Sequence, residues 1–67
     1  MNKEQRTIAL LEAMINSREA LYEIRKTKGD EEGMKVVSTE LHILGNIKDL
    51  MIDEEYFESI CEIYEVE

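Results

Sequence analysis

The strongest constraint on the fold is a short break between two long segments of helical periodicity. Residues 29–33 read Gly-Asp-Glu-Glu-Gly, and the chain contains no proline that could interrupt a helix elsewhere. Apolar residues recur at helical intervals from Ile8 to Tyr22 before the break, and at intervals of three and four from Met34 to Met51 after it. Two amphipathic helices with so short a connection are expected to pack as an antiparallel αα-hairpin.

Local signals divide one predicted domain, 1–67, into three helices. Asn2 and Gln5 have the spacing of a capping box at the start of the first helix, and Gly29 is suited to end it. Asp53 is the predicted N-cap of a shorter helix rich in glutamate. The predicted helices cover about residues 3–28, 31–51 and 54–65. The sequence therefore predicts an all-α protein, a two-helix hairpin followed by a short acidic C-terminal helix.

The chain is close to the lower size limit for a stable single core. A domain of 67 residues usually needs a disulfide, a metal or a second subunit as reinforcement. Its one cysteine excludes an internal disulfide, which leaves unusually good helix packing, self-association or a protein partner as the reinforcement; a homodimer is a reasonable expectation. An apolar stripe on the third helix is expected either to cap the hairpin or to face a second subunit; it consists of Phe57, Ile60, Cys61 and Tyr64.

Three features of the sequence predict a soluble cytoplasmic protein. Residues 1–5 are mostly polar, and no apolar run approaches the ~20 residues that a membrane span requires. The single unpaired cysteine is typical of a reducing compartment. No contact with a membrane is expected.

The charge is strongly negative and unevenly distributed. Sixteen acidic and eight basic residues give a formal net charge of −8. Residues 1–28 carry six bases and four acids, a net charge of +2, whereas residues 29–67 carry two bases and twelve acids, a net charge of −10. Phosphate groups would be repelled by this surface, so direct nucleic-acid binding is not expected. A basic surface of another protein would be attracted.

Two charged residues fall on the apolar sides of the predicted helices. At about 100° per residue, Arg18 lies among the apolar residues of the first helix and Glu40 among those of the second. A charge on an apolar face is costly unless it is paired. We therefore predict an ion pair between Arg18 and Glu40, with Arg25 as the other candidate partner of Glu40. The alternative is that both side chains extend to the edge of the helix contact.

Another side of the second helix carries a strip of polar residues. It includes the only histidine and consists of Ser38, His42, Asn46 and Asp49, with Gly45 leaving a gap among them. Ser38 and His42 are four residues apart and therefore neighbours on a helix. This strip is the predicted site of contact chemistry; the alternative is a solvated face with an incidental histidine.

No common catalytic or metal-binding motif is present. The sequence has no His-x-x-x-His or Cys-x-x-Cys spacing and no phosphate-binding glycine loop. One histidine and one cysteine do not define a nucleophile with its base. Neither a metal nor a cofactor is expected.

The order of residues in the two long segments resembles one family. The pattern is Ile15-x-x-Arg18-x-x-Leu21, then Lys28-Gly29, then Val37-Ser38-Thr39-Glu40-Leu41-His42-x-Leu44. It resembles the small aspartyl-phosphate phosphatases of the sporulation phosphorelay, the stage-zero sporulation regulatory protein E-like family of bacilli. The family signature is Ser-Gln-Glu-Leu-Asp, so Thr39 replaces the glutamine and His42 replaces the aspartate. The similarity covers about residues 8–46.

The resemblance implies a fold, a partner and a reaction. The family fold is an antiparallel two-helix hairpin, dimeric in some members, and its activity is hydrolysis of phosphoaspartate on the sporulation response regulator. The catalytic set implied for this chain is His42, Ser38 and Asn46, which would orient the attacking water. Contacts to the partner are expected from Thr39, Glu40 and Asp49.

Two other interpretations remain open from the sequence. The seven acids of residues 53–67 suit an acidic DNA mimic or antirepressor that blocks the basic DNA-binding face of a transcription factor. A helical dimer with a purely structural role is the third interpretation.

Overall fold

The computed structural model describes residues 2–66, and within them it contains three helices and no strand. The helices are α1 (Lys3–Lys28), α2 (Glu31–Ile52) and α3 (Glu54–Ile63). The predicted all-α class is therefore confirmed for the described residues. Helix α2 ends one residue later than predicted, and α3 ends two residues earlier.

The ends of α1 are fixed by the residues that the sequence indicated. The Asn2 side chain accepts a hydrogen bond from the Gln5 backbone N–H at 2.8 Å, and the Asn2 N–H donates to Gln5 Oε1 at 3.1 Å. At the other end Gly29 is left-handed, with φ of 73°. Its N–H donates to the Lys26 carbonyl at 3.1 Å, and the next N–H, of Asp30, donates to the Arg25 carbonyl at 2.9 Å. A glycine ends the helix because it adopts positive φ without a steric penalty.

Aspartates begin the other two helices. Asp30 Oδ1 accepts from the Gly33 N–H at 3.0 Å, and Asp53 Oδ1 accepts from the Tyr56 N–H at 3.1 Å. Helix α3 ends early because Glu65 takes a left-handed conformation, with φ of 56°. This places the Val66 N–H 2.8 Å from the Cys61 carbonyl, which closes the helix as the glycine does in α1.

Helix α1 packs along α2 in the opposite chain direction. Side-chain contacts join position 25 of α1 to position 33 of α2, 18 to 40, and 12 to 48. The described part of the chain buries only two apolar side chains between these helices, Leu11 at 7% exposed and Val37 at 0%. The core is therefore a narrow seam between two helices.

The three helices form one layer. Helix α3 follows α2 after a single residue, Asp53, and within residues 2–66 its backbone approaches that of α2 and not that of α1. The molecule measures 45 × 31 × 13 Å, and its shortest dimension is close to the ~10–12 Å diameter of a single helix. No helix among the described residues is long and apolar enough to cross a bilayer.

The two sides of this layer differ in chemistry. Two antiparallel helices in contact place matching flanks on the same side, and about 100° per residue assigns each side chain to a flank. One side is largely apolar and exposed; we call it the apolar face, and it consists of Leu10, Met14, Val36, Ile43 and Ile47. The opposite side carries the polar strip of α2.

Candidate functional site

The polar strip of α2 lines an open groove. This polar groove has a volume of about 430 Å³ and is lined by Ser38, Leu41, His42, Gly45, Asn46 and Asp49. Residues four apart on a helix are neighbours, so Ser38, His42 and Asn46 follow one another along the strip. Gly45 has no side chain, and a Cβ added there would meet nothing within 4 Å. The groove is therefore open where Gly45 lies.

The polar groups of the groove are available for intermolecular contacts. Among residues 2–66, none of the side chains of Ser38, His42, Asn46 and Asp49 makes an intramolecular hydrogen bond or ion pair. Ser38 is half-buried and the other three are exposed. Together they present a hydroxyl, an imidazole, an amide and a carboxylate, which can donate and accept several hydrogen bonds at once.

The groove is built on a rigid support. Its residues belong to one uninterrupted helix, α2, which is fixed on its opposite side by the fully buried Val37. Functional groups on helices hold their relative positions better than groups on loops do. The spacing of the four polar side chains is therefore determined by the helix itself.

The structure separates the other predicted partner-binding residues from this groove. Thr39 Oγ1 donates to the Lys35 carbonyl at 3.0 Å, and its side chain lies outside the groove. Glu40 points to the other flank of α2, where its Oε2 lies 3.2 Å from Arg18 Nε. Of the six residues predicted for catalysis or partner binding, four line the groove, namely Ser38, His42, Asn46 and Asp49.

Arg18 and Arg25, the two candidate partners of Glu40, have different roles. Arg18 forms the ion pair with Glu40. Arg25 instead donates from Nη1 to the Gly33 carbonyl at 3.0 Å, so it joins the end of α1 to the first turn of α2. The two arginines therefore hold the helices together at separate points.

A second depression adjoins the groove and was not predicted from the sequence. It has a volume of about 420 Å³ and is lined by Tyr22, Glu31, Met34, Lys35 and Ser38. Ser38 borders both depressions, so the surface continues from the groove toward the start of α2. Tyr22 is the contribution of α1; its place in the apolar repeat indicated a core residue, and only the packing of two helices puts it beside Ser38.

The groove has no arrangement typical of a metal site. Within residues 2–66 no group of three or more His, Cys, Asp or Glu side chains is placed to hold a metal ion. Its only possible nitrogen ligand is His42, with Asp49 as the nearest carboxylate on the same strip. The four polar side chains of this surface can donate and accept hydrogen bonds.

Comparisons with known proteins do not assign the chain to a family. No protein-family model, curated protein or solved structure gives a significant match. The resemblance to the sporulation phosphatases therefore rests on the sequence pattern alone. Its matching positions are Arg18, Leu21, Gly29, Ser38, Glu40 and Leu41.

Proposed function

We propose that this protein is a regulator that docks onto a response regulator through the polar groove and acts on its aspartyl phosphate. The observation that supports this function is the polar groove itself, with four polar side chains that make no hydrogen bond within residues 2–66. The part of α2 that resembles the phosphatase signature lines this groove. Ser38 matches the serine of the signature, and His42 occupies the position of its aspartate.

The antiparallel hairpin supplies the platform for docking. Side-chain contacts hold α1 against α2 over most of their length; they join residue 25 to 33, 18 to 40, and 12 to 48. The groove lies on the outer flank of the α1–α2 pair. The receiver domain of a response regulator, which carries the aspartyl phosphate, can approach it there without moving either helix. An interface of this kind pays little entropy for ordering, because its residues are already fixed on a helix.

The proposed reaction is hydrolysis of the acyl phosphate by water. A ring nitrogen of His42 orients a water molecule in line with the phosphorus, and Ser38 and Asn46 complete its hydrogen bonds. The water oxygen bonds to phosphorus as the bond from phosphorus to the aspartate oxygen breaks. The products are the free aspartate carboxylate and inorganic phosphate. The response regulator holds the phosphoryl group and its magnesium ion, so this chain contributes only positioning.

The test is dephosphorylation of a phosphorylated sporulation response regulator. Phosphate loss is followed with the wild type, with His42→Ala and with His42→Asp. Asn46→Ala is paired with the matched amide control Asn16→Ala, an exposed residue of α1 outside the groove. We expect the wild type and Asn16→Ala to accelerate phosphate loss, and His42→Ala to abolish the acceleration.

Binding of the receiver domain is measured in parallel by titration calorimetry. If only His42→Asp accelerates phosphate loss while the wild type binds, the chain docks as proposed but lacks the catalytic group. Absence of both binding and acceleration for every form would refute the proposal. Equal activity of His42→Ala and the wild type would remove the histidine from the mechanism.

A second candidate, the acidic DNA mimic, is favoured by the exposure of α3. This helix contacts only α2 among the described helices. Its carboxylates from Asp53 to Glu65 are all exposed. A chain ending at Ile52 would lose binding to a basic partner under this candidate and keep receiver binding under the first. Binding through α3 would also weaken steeply with added salt, because charge would dominate it.

A further inference from the structure

We propose that a second copy of this chain covers the apolar face, giving a four-helix dimer in which both polar grooves remain on the outside. The apolar face lies on the opposite side of the α1–α2 layer from the groove. Its five residues, Leu10, Met14, Val36, Ile43 and Ile47, are each between 41% and 61% exposed in the single chain. This inference does not depend on the proposed function.

The surface area of the single chain is too large for a compact monomer. The accessible surface is 5573 Å², whereas a folded monomer of 7.9 kDa is expected to expose about 4,400 Å². The excess of about 1,150 Å² exceeds the ~800 Å² that each partner buries in a stable protein interface. A dimer that covers the apolar face would therefore account for most of the excess.

The shape of the chain leads to the same conclusion. Its radius of gyration is 14.7 Å, whereas a compact domain of this length has a radius of about 11 Å. Stable domains bury the apolar stripes of one layer of helices against a second layer. The described chain has only one layer, and a second copy would supply the other.

Helix α3 cannot cover the apolar face from within the same chain. Its ten residues reach about 15 Å, which is one third of the 45 Å length of the molecule. It begins directly after the Asp53 cap at the end of α2, and it contacts α2 alone among the described helices. The middle of the face, around Met14 and Ile43, is beyond its reach.

The charges of the two long helices favour one orientation of the second copy. Residues 1–28 carry a net charge of +2, whereas residues 31–52, which form α2, carry four acids and two bases, a net charge of −2. A two-fold axis that places α1 of one protomer over α2 of the other therefore brings helices of opposite net charge together. Parallel stacking of α2 on α2 would instead bring like charges together.

The Arg18–Glu40 pair lies within the proposed interface. Glu40 is on the same flank of α2 as Val36 and Ile43, so the pair divides the apolar face along its length. A covering protomer would remove water from it. Removing water from an ion pair gives little net stability, but an unpaired charge there is strongly unfavourable. The second copy must therefore dock without separating Arg18 from Glu40.

The experiment measures the mass of the full chain in solution by light scattering and sedimentation equilibrium. We expect the wild type at micromolar concentration to have twice the chain mass of 7.9 kDa. Ile43→Glu, which places a carboxylate in the apolar face, is expected to raise the dissociation constant at least 100-fold and give the single-chain mass. The matched control is Asn46→Glu, the same added charge in the polar groove, and it is expected to remain a dimer.

Circular dichroism of each variant shows whether the helices remain folded. Ile43 is 54% exposed in the single chain and is not one of the buried seam residues, so the helical signal is expected to persist after its replacement. A wild type that stays at the single-chain mass at every concentration would overturn the proposal. So would a dimer that survives Ile43→Glu but dissociates in Asn46→Glu, because the interface would then be the groove.

Discussion

Arg18 Nε and Glu40 Oε2 lie 3.2 Å apart across the contact between α1 and α2, and their side chains are 42% and 37% exposed. This ion pair therefore sits at the edge of the seam rather than in its interior. Both residues belong to the apolar sides of their helices by position, and each places its charge where water can still reach it. The pair joins the two helices midway between the Arg25 and Glu12 contacts.

The stabilisation from this pair is expected to be small in the single chain. A double-mutant cycle of Arg18→Met and Glu40→Gln, measured in the Ile43→Glu background, should give a coupling energy of about 0.5 kcal/mol. The coupling should decrease in high salt because the charges are exposed. The coupling energy is obtained from urea denaturation of the four proteins of this cycle: the background variant, the two single variants and the double variant. A coupling of ~2 kcal/mol or more in this background would contradict the exposure of the pair.

Val37 is expected to carry much of the core stability. It is fully buried, whereas its neighbour Val36 is 55% exposed. Val37→Ala should lower the free energy of unfolding by about 2 kcal/mol, because it removes two buried methyl groups and leaves a cavity.

The same substitution at Val36 is the matched control for Val37→Ala. Both are made in the Ile43→Glu chain, so that self-association does not contribute. Val36→Ala should change the free energy of unfolding by less than ~0.5 kcal/mol. Equal decreases in the free energy of unfolding for the two variants would show that Val37 is not part of the buried seam.

The two glycines of α2 are expected to respond oppositely to alanine. A Cβ at Gly33 would lie 2.6 Å from Arg25 Cδ, whereas a Cβ at Gly45 would meet nothing within 4 Å. Gly45→Ala should therefore stabilise the helix by up to ~1 kcal/mol. Gly33→Ala should destabilise the protein by about 1 kcal/mol, because it displaces Arg25 and the Asp30 cap.

Thermal unfolding of the two alanine variants measures this difference. Gly45→Ala has a second use, because its methyl group enters the polar groove without weakening the fold. Reduced binding of the receiver domain by this more stable variant would locate docking at the groove. Unchanged binding would place the contact elsewhere on α2.

Glu65 is expected to limit the stability of the end of α3. Its φ of 56° is unfavourable for a residue with a Cβ and unstrained for glycine. Glu65→Gly should therefore slow amide hydrogen exchange in the last turn of α3, by a factor of about 2 to 5. Glu62→Gly, inside the helix, should accelerate exchange. If Glu65→Gly accelerates exchange instead, the left-handed end does not persist in solution.

The helix ends were predictable because their signals are local. Asn2 with Gln5, the glycine at position 29 and the aspartate at position 53 each act within a few residues of their own positions. The early end of α3 was missed because a left-handed glutamate has no sequence signal comparable to glycine. The polar strip was also predictable, since the period of a helix alone places Ser38 and His42 on one flank.

The sequence by itself determined the three helices, the caps at Asn2, Gly29 and Asp53, and the polar strip, because these depend on hydrogen bonds and periodicity within a few turns. Only the tertiary structure decided which side of each long helix faces the other one. It paired Glu40 with Arg18 and not with Arg25, brought Tyr22 beside Ser38, and left the apolar face uncovered. The physical reason is that each of these relations depends on the direction and rotation with which α1 packs on α2. That packing is set by the few side chains in the seam, with Leu11 and Val37 at its centre.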